Sequence, residues 1–335
     1  MKVAVLTTSY PRYEGDAAGI FVRAAVERAR AAGAEIEVVS PAAFRHFGVA
    51  YGHGIPGNLR RRPWLVLLLP VFLASFARAA RRAARGADVV HAHWIPSGIP
   101  ALATGKPVVL QLWGSDVALA NRLPWAFRWV IRRSRVVVCA SSALAADAAA
   151  LGARDVRVVP SAVDLPAEVA EAEEPPHVLY VGRLSEEKGV RELAAAAAAL
   201  PLVVVGDGPL RDVLPQAVGW VPHDELGPWY ERAAVVVVPS HREGYGMVAR
   251  EAMGHGRPVV ATAVGGLLDA VEDGVTGLLV PSRDPTALRE ALERLLGDTE
   301  LRREYGRAAR ERALACFGEG VEGDAMLGVY RDALS

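Results

Sequence analysis

The chain has 335 residues, which favours two domains because a single hydrophobic core stops growing at roughly 250 to 300 residues. Hydrophobic residues make up 52% of it and charged residues 23%, which excludes a disordered or low-complexity protein and indicates a soluble, folded one. The formal net charge is zero, and the only thiols are Cys139 and Cys316. So few cysteines, one of them inside the apolar run RVVVCAS, favour a reducing compartment, and we expect a cytoplasmic protein.

The first half of the chain alternates strand-length apolar runs with alanine-rich helical stretches. It opens on MKVAVLTTSY, a strand and a loop without the apolar core and cleavage site of a signal peptide, so we expect no secretion. Continuously apolar runs in this alternation are typical of a parallel sheet with helices on both faces. The predicted strands are KVAVLTT, EIEVVSP, DVVHAHW, KPVVLQLWG, RVVVCAS and DVRVVPS.

This half is also basic. Residues 1–165 carry 21 basic and 10 acidic side chains, a charge of +11, while the remaining 170 carry 17 and 28, a charge of −11. The basic residues cluster in NLRRRPW and RAARRAARG, on either side of LVLLLPVFLASFA. This apolar segment is interrupted by Pro70 and is too short for a spanning helix of about 20 residues. Two interpretations stay open, a buried helix with solvated basic ends or peripheral contact with an anionic membrane. Because the basic residues lack interleaved aromatics and a recognisable motif, we expect no nucleic-acid binding.

The second half repeats the alternation after an acidic segment, AEVAEAEEPPH, that has the composition of a linker. Its apolar runs predict a second parallel sheet, and from about Thr286 the pattern is helical, with Pro285 suited to a helix N-terminus. The runs are HVLYVGR, LPLVVVGDG, AVGWVP, AAVVVVPS, RPVVATA and TGLLVP. We therefore predict domains at 1–165 and 177–315, a linker at 166–176 and a final helix within 316–335.

Glycine-rich loops follow several predicted strands. They are EGDAAG, WGSD, GRLSEEKG, GDGP and EGYG. Ligands of open parallel sheets bind beyond the carboxyl ends of the strands, so two such domains facing each other would form a cleft there. None of these loops has the Gly-x-Gly-x-x-Gly spacing of a dinucleotide site, and the chain has no Walker sequence. A nicotinamide-dependent oxidoreductase or a P-loop enzyme is therefore not expected.

Two cations stand in the loop GRLSEEKGV. Arg183 and Lys188 are five residues apart, between a predicted strand and the helix that follows it. Such a pair can hold a diphosphate, the arginine by forked hydrogen bonds and the lysine as a point charge. The alternative is a solvated loop in which Lys188 pairs with Glu186 or Glu187.

Two glutamates with seven residues between them lie in SHREGYGMVAREAMGHGRPVV. The preceding strand ends at Pro239, which places Glu243 in the loop, and a helix starting near Met247 places Glu251 about one turn inside it. The amides at the start of this helix can bind an anion, and carboxylates are good acceptors for sugar hydroxyls. The alternative is that Glu243 is a helix-terminal charge and Glu251 a surface residue.

In their order and spacing, these segments resemble the GT-B glycosyltransferases of the large retaining family 4, the glycosyl transferases group 1. The resemblance covers nearly the whole chain. It implies two Rossmann-like α/β domains facing across a cleft, the first binding the acceptor and the second the nucleotide-sugar donor, with the final helix packing back on the first domain. The segments that carry it are GRLSEEKGV, VVGDGPLR, VVVVPSHREGYGMVAREAMGHGRPVVATAVGGLLDAVEDGVTGLLVPSRDP, TTSYPRYEGDAAGIFVRAAVERARAAGAEIEVV, DVVHAHW and VVPSAVD.

The resemblance also implies a role for each matching residue. Arg183 and Lys188 match the pair that holds the donor diphosphate. Glu243 matches the glutamate at the hydroxyls of the transferred sugar, and Glu251 matches the one that binds the ribose. The remaining donor-binding positions lie in glycine-rich loops: Gly19, Gly206, Gly208, Gly244, Tyr245, Gly246, Met247 and Val248. The family often has two glycines at the first of these loops, whereas here Ala18 precedes the single one.

One departure from the family lies in LQLWGSD. Many relatives have a histidine before the Gly-Ser-Asp, close to the reacting carbon, and this chain has Trp113. The neighbouring candidates for a catalytic role are Asp116, His91 and His93, of which we prefer His93 because it is nearer the predicted loop. The alternative for either histidine is a satisfied residue at a strand end.

The activity that the resemblance implies is retaining transfer of a sugar from a nucleotide diphosphate donor, UDP or GDP, to an acceptor hydroxyl. It needs no cofactor, and the absence of an Asp-x-Asp motif agrees with metal independence. The basic first half suggests that the acceptor is lipid-linked, and a glycan acceptor is the alternative. Two other interpretations remain, a nucleotide-sugar 2-epimerase and a nucleotide-sugar-binding protein without activity.

Overall fold

The computed structural model describes residues 1–13, 16, 18–52, 54–114 and 124–335. The chain divides into two compact units. Unit 1 comprises Met1–Ser161 and Glu319–Ser335, and unit 2 comprises Ala162–Gly318. The predicted domain and linker boundaries stay predictions.

Unit 1 is built on a parallel sheet of six described strands in the order β2-β1-β3-β4-β5-β6. All residues of β3, β4 and β5 are buried, as expected for a sheet covered on both faces. Each of the six apolar runs predicted for the first half contains one strand, so this prediction is confirmed. The strands are β1 Lys2–Leu6, β2 Glu35–Val39, β3 Val89–His93, β4 Val108–Leu112, β5 Val136–Cys139 and β6 Val156–Val158.

Helices cover both faces of this sheet. Phe72, Phe76 and Val130 belong to the apolar cluster on one face, and Val22 and Val26 to the cluster on the other. The helices are α1 Ile20–Ala31, α2 Gly54–Arg61, α3 Leu69–Ala84, α4 Ile95–Leu102, α5 Pro124–Arg133 and α6 Ser142–Ala150, with 3-10 turns at Pro41–Ala43 and Pro63–Leu68. Cys139 is buried and Cys316 half-buried, and both are free thiols.

The apolar segment of unit 1 is longer as a helix than the sequence predicts. The 3-10 turn Pro63–Leu68 leads directly into α3, and Pro70 lies in the first turn of α3, where a proline is tolerated. Among the described residues, Pro63–Ala84 is therefore one helical stretch long and apolar enough to cross a membrane by length and composition. The expectation that it is too short is wrong. Since Phe72 and Phe76 lie in the core, one face of the stretch packs on unit 1.

Unit 2 is built on a parallel sheet of five strands in the order β11-β10-β9-β7-β8. The strands are β7 Val178–Val181, β8 Leu202–Val205, β9 Val235–Val238, β10 Val259–Thr262 and β11 Gly277–Val280. Five of the six predicted runs are confirmed and AVGWVP is not, because Gly219 makes only an isolated antiparallel bridge with Gly206. Gly219 has a φ of 107°, and its neighbours Val218 and Trp220 are exposed, so the middle of this run is not covered as a central strand would be.

Helices cover both faces of the unit 2 sheet, and one apolar cluster lies on each face. The helices are α7 Val190–Ala196, α8 Gly227–Arg232, α9 Met247–Gly254, α10 Leu267–Ala270, α11 Pro285–Gly297 and α12 Thr299–Cys316, with 3-10 turns at Glu186–Lys188, Arg211–Val213 and His223–Glu225. Helix α11 begins at Pro285, as predicted, and the Asp284 side chain caps it by accepting from the amides of Thr286 and Ala287.

The final helix, α13 Glu319–Asp332, belongs to unit 1. It packs along α1, where Arg28 and Glu322 form a largely buried ion pair with 3.0 Å between Nη1 and Oε2. Further along α13, the hydroxyl of Tyr330 lies 2.8 Å from Nδ1 of His91 on β3. The last turns of the chain are therefore anchored by polar contacts inside unit 1.

Candidate functional site

Three glycine-rich loops meet at one edge of the unit 2 sheet. They follow β7, β8 and β9, which are neighbours in the order β9-β7-β8. Because the strands are parallel, their carboxyl ends lie at the same edge. The loops are 182–189, 206–208 and 239–246, so the fold gathers the predicted donor-binding residues of the second half along one edge.

These loops touch one another through their main chains. A β-carbon on Gly189 would lie 1.9 Å from the carbonyl oxygen of Pro239, and one on Gly206 would lie 1.9 Å from that of Gly182. Similarly, a β-carbon on Gly208 would lie 2.4 Å from the carbonyl oxygen of Leu184. Any side chain at these positions would separate the loops, so the glycines are required for the loops to assemble.

Lys188 and Glu243 form an ion pair between the first and third of these loops. The Nζ atom of Lys188 lies 2.7 Å from Oε2 of Glu243, and the hydroxyl of Ser240 donates to the same oxygen at 3.1 Å. Glu186 pairs instead with Arg191 at 2.7 Å, so the alternative in which Lys188 pairs with a neighbouring glutamate is wrong. Both side-chain donors described for Glu243 bind Oε2, and none is described for its Oε1.

Arg183 lies in the same loop as Lys188 and is exposed. Its main chain is anchored, because the hydroxyl of Tyr180 donates to the carbonyl oxygen of Arg183 at 2.9 Å. The backbone at Arg183 is thus held while the guanidinium reaches solvent. The structure places both predicted cations of this loop at the carboxyl edge, one paired and one exposed.

The loop 239–246 leads into α9, which begins at Met247 as predicted. Gly246 precedes it with a φ of 82°. Buried Arg250 anchors this loop, because its Nη1 donates to the carbonyl oxygens of Tyr245, Gly246 and Gly266. Its guanidinium also lies 3.8 Å from the centre of the Tyr245 ring. Sequence reasoning missed Arg250. The spacing of one helical turn from Gly246 is the signal that could have indicated this contact.

Glu251 is buried, with 6% of its surface exposed, so the alternative of a surface residue is wrong. Its Oε2 accepts from the hydroxyl of Tyr230 at 2.6 Å, and its Oε1 lies 3.7 Å from Nε2 of His223. Burial raises the pKa of Glu251, while the hydrogen bond from Tyr230 and the nearby His223 lower it. Neither Tyr230 nor His223 was a candidate from the sequence.

The candidates of unit 1 lie at the ends of its strands and helices. Gly19 precedes α1 with a φ of 65°, and a β-carbon there would lie 2.3 Å from the carbonyl oxygen of Ser9. His93 is fully buried at the end of β3, and its Nδ1 accepts from the indole N–H of Trp113 at 3.2 Å. Burial holds the pKa of His93 well below its usual value. Asp116 lies outside the described residues, and the catalytic roles of Asp116 and His93 stay predictions.

Within the described ranges, no group of three or more His, Cys, Asp or Glu side chains is placed to hold a metal ion. The positive groups at the unit 2 edge include Arg183 and Lys188, and the amides that begin α9 add partial positive charge. This arrangement suits an anion beside a polar ligand that bears hydroxyl groups.

The two halves of the chain match two family models. Residues 175–298 match the one described as glycosyl transferases group 1, and residues 18–166 match glycosyltransferase family 4. A D-inositol 3-phosphate glycosyltransferase of Acidothermus cellulolyticus is 33% identical over 396 residues, covering 96% of this chain and 87% of the relative. One from Frankia alni is 50% identical over 114 residues, covering 34% of this chain and 28% of the relative, so this match spans less than a third of that protein.

Solved structures show the same architecture over nearly the full length. Sucrose-phosphate synthase from Thermosynechococcus elongatus superposes with a TM-score of 0.80 at 25% identity, covering 98% of each chain. Anabaena HepE in complex with UDP superposes with a TM-score of 0.74 at 19% identity, covering 99% of this chain and 100% of that one. The two parallel sheets and their helices thus define the GT-B fold, which confirms the predicted fold class. The chain belongs to the group 1 glycosyl transferases.

Proposed function

We propose that this protein transfers a sugar from a UDP-sugar to an acceptor hydroxyl, with retention at the anomeric carbon and without a metal ion. The observation that carries the proposal is the Lys188–Glu243 ion pair at one edge of unit 2. It joins a cation suited to a phosphate group to a carboxylate suited to sugar hydroxyls. Membership of the group 1 glycosyl transferases supports the reaction class, and the complex of HepE with UDP supports the donor base. GDP is the alternative donor base.

The ion pair suggests how the protein holds the sugar and the diphosphate on either side of the bond that breaks. An ammonium group has three N–H donors, so Lys188 can bind a phosphate oxygen while it keeps its bond to Glu243. In this arrangement Arg183, Lys188 and the first amides of α9 stabilise the charge that grows on the departing diphosphate. Oε1 of Glu243 then addresses a hydroxyl of the transferred sugar, and Glu251 binds the ribose.

For retention we propose attack from the face that the diphosphate leaves. The bond between the anomeric carbon and the phosphate oxygen breaks, the bond to the acceptor oxygen forms, and the departing phosphate takes the proton of the acceptor hydroxyl. The cations replace the charge that a metal ion supplies in other transferases.

Donor turnover tests this proposal against its alternatives. Release of UDP from UDP-sugars that depends on an added acceptor supports the transferase. Interconversion of the donor sugar supports an epimerase, and binding without either reaction supports an inactive binding protein. Donors are chosen first by a thermal-shift screen of UDP- and GDP-sugars, repeated with Glu251→Ala. If no nucleotide stabilises the wild-type protein, the proposed donor site is wrong.

We further propose that the acceptor is lipid-linked and that a cytoplasmic protein meets it at an anionic membrane. Beside the basic residues 60–62, Trp64 is 57% and Leu67 80% exposed, a combination typical of segments that lie in the membrane interface. Flotation with anionic vesicles at low salt tests this. We expect the wild type to float and Trp64→Ser/Leu67→Ser to float less, while the control Trp220→Ser, whose indole is 75% exposed in unit 2, behaves as wild type. A wild type that stays with the unbound fraction would leave a soluble glycan as the acceptor.

A further inference from the structure

The carboxylate of Glu251 is oriented by a residue outside the motif that contains it. The hydroxyl of Tyr230, on α8, donates to Oε2 of Glu251 at 2.6 Å, a short, charge-assisted hydrogen bond. We propose that Tyr230 is a positioning residue for nucleotide recognition: it holds Oε2 so that Oε1 is presented to the ribose hydroxyls. This inference rests on the proposed role of Glu251 as the ribose ligand.

Tyr230 is fixed by its own packing. Its side chain is buried in the apolar cluster that contains Leu226, Ala249 and Met253, and its ring stacks on His255 at a centroid distance of 5.3 Å. A phenol held in this way has no rotamer freedom to lose when a ligand arrives. The hydroxyl therefore defines one orientation of the Glu251 carboxylate before the nucleotide binds.

The charged and titratable groups around Glu251 explain why it needs this donor. Burial raises the pKa of Glu251 and so favours the protonated form, and Asp164 acts in the same direction. Tyr230 and exposed His223 act in the opposite direction. Burial also raises the pKa of Tyr230 well above its usual value, so its hydroxyl remains a donor at physiological pH. Without the phenol O–H, the carboxylate loses its main support for the ionised, accepting state.

The contact with His223 identifies the side of the carboxylate that is left for a ligand. The distance of 3.7 Å between Nε2 of His223 and Oε1 of Glu251 is longer than a hydrogen bond. The bond to Oε2, in contrast, is short and buried. Oε1 thus keeps accepting capacity beside an exposed imidazole, whereas Oε2 is committed to Tyr230.

The experiment compares a nucleotide with and without its ribose hydroxyls. Dissociation constants for UDP and 2′,3′-dideoxy-UDP are measured by calorimetry for the wild type, Tyr230→Phe, Glu251→Ala and Tyr305→Phe. Tyr305→Phe is the matched control, because Tyr305 is a buried tyrosine in the other apolar cluster of unit 2. Tyr230→Phe keeps the ring and its stacking and removes only the hydroxyl.

We expect the wild type to prefer UDP by about tenfold to hundredfold, the worth of hydrogen bonds to a charged group. Tyr230→Phe should lose most of this preference by weakening UDP alone, and Tyr305→Phe should keep it. A purely structural role of Tyr230 would weaken both nucleotides equally and leave their ratio unchanged. On acidification, the preference that remains in Tyr230→Phe should be lost at a higher pH than the preference of the wild type. The reason is that Glu251 takes up its proton more readily without the phenol hydroxyl.

The outcomes separate this inference from the proposed function. If the wild type shows no preference, or if Glu251→Ala retains it, Glu251 is not the ribose ligand and the proposed function of this residue fails. If Glu251→Ala loses the preference and Tyr230→Phe keeps the wild-type ratio at every pH, the inference about Tyr230 is overturned. If UDP does not bind, the same measurements are made with GDP and 2′,3′-dideoxy-GDP, and failure of both pairs refutes the donor site.

Discussion

Acidification should destabilise unit 1, because it buries two histidines in the neutral form. Burial lowers the pKa of His91 to about 3 and that of His93 well below its usual value. The centroids of their rings are 4.3 Å apart, so a charge on one ring disfavours a charge on the other. In the unfolded chain both titrate near pH ~6.5. As the pH falls below this value, the unfolded state binds protons that the folded state excludes, and the free energy of unfolding decreases.

The magnitude follows from proton linkage. A histidine that stays neutral in the folded state costs RT ln(1 + 10^(6.5 − pH)), which grows by about 2 kcal/mol between pH ~7.5 and ~5.0. The two histidines together give a loss of about 4 kcal/mol over this interval. The interval ends above the range in which unfolded aspartates and glutamates take up most of their protons, at about pH 4. The loss would continue toward the folded pKa of His91, about 3.

The assay is urea unfolding, followed by tryptophan fluorescence, at both ends of this interval. The wild type is compared with His93→Gln, whose amide can still accept the N–H of Trp113 and cannot titrate. We expect the variant to lose about 2 kcal/mol less than the wild type on acidification, whatever its stability at neutral pH. Histidines elsewhere are present in both proteins, so their contributions cancel. An equal loss in the two proteins would refute the conclusion that His93 is buried without charge.

Three further predictions concern the loops of unit 2. Gly189→Ala should destabilise the protein by about 4 kcal/mol or more, because its β-carbon would collide with the Pro239 carbonyl oxygen. In thermal unfolding the control Gly297→Ala, with open space at its β-carbon, should change the midpoint little, and an equal shift for both variants would contradict the collision. Arg250→Met should weaken UDP binding by about 1 to 3 kcal/mol in calorimetry, since the loop carbonyls lose their donor, and unchanged affinity would show that Arg250 does not hold the loop. Lys188→Met should weaken UDP binding about tenfold or more, whereas Arg191→Met, which breaks only an exposed pair, should bind as wild type, and similar losses would indicate a nonspecific charge effect.

Much of the fold is readable from local pattern. Apolar runs of strand length separated by helical stretches identified eleven strands, because a strand buried on both faces needs continuously apolar residues. The one excess prediction, AVGWVP, has the composition of a strand but leaves Val218 and Trp220 exposed. Burial depends on what packs against a segment, and that is not a local property.

The sequence by itself determined that Glu243 lies in a loop and Glu251 inside the helix beginning at Met247, since strand ends, glycines and helix starts are encoded by neighbouring residues. Only the tertiary structure decided their partners. Lys188 meets Glu243 because β7 and β9 are adjacent in the sheet, and strand order depends on how the whole chain packs. In the same way, the burial of Glu251 against Tyr230 follows from the packing of α8 beside α9, which no spacing along the chain records.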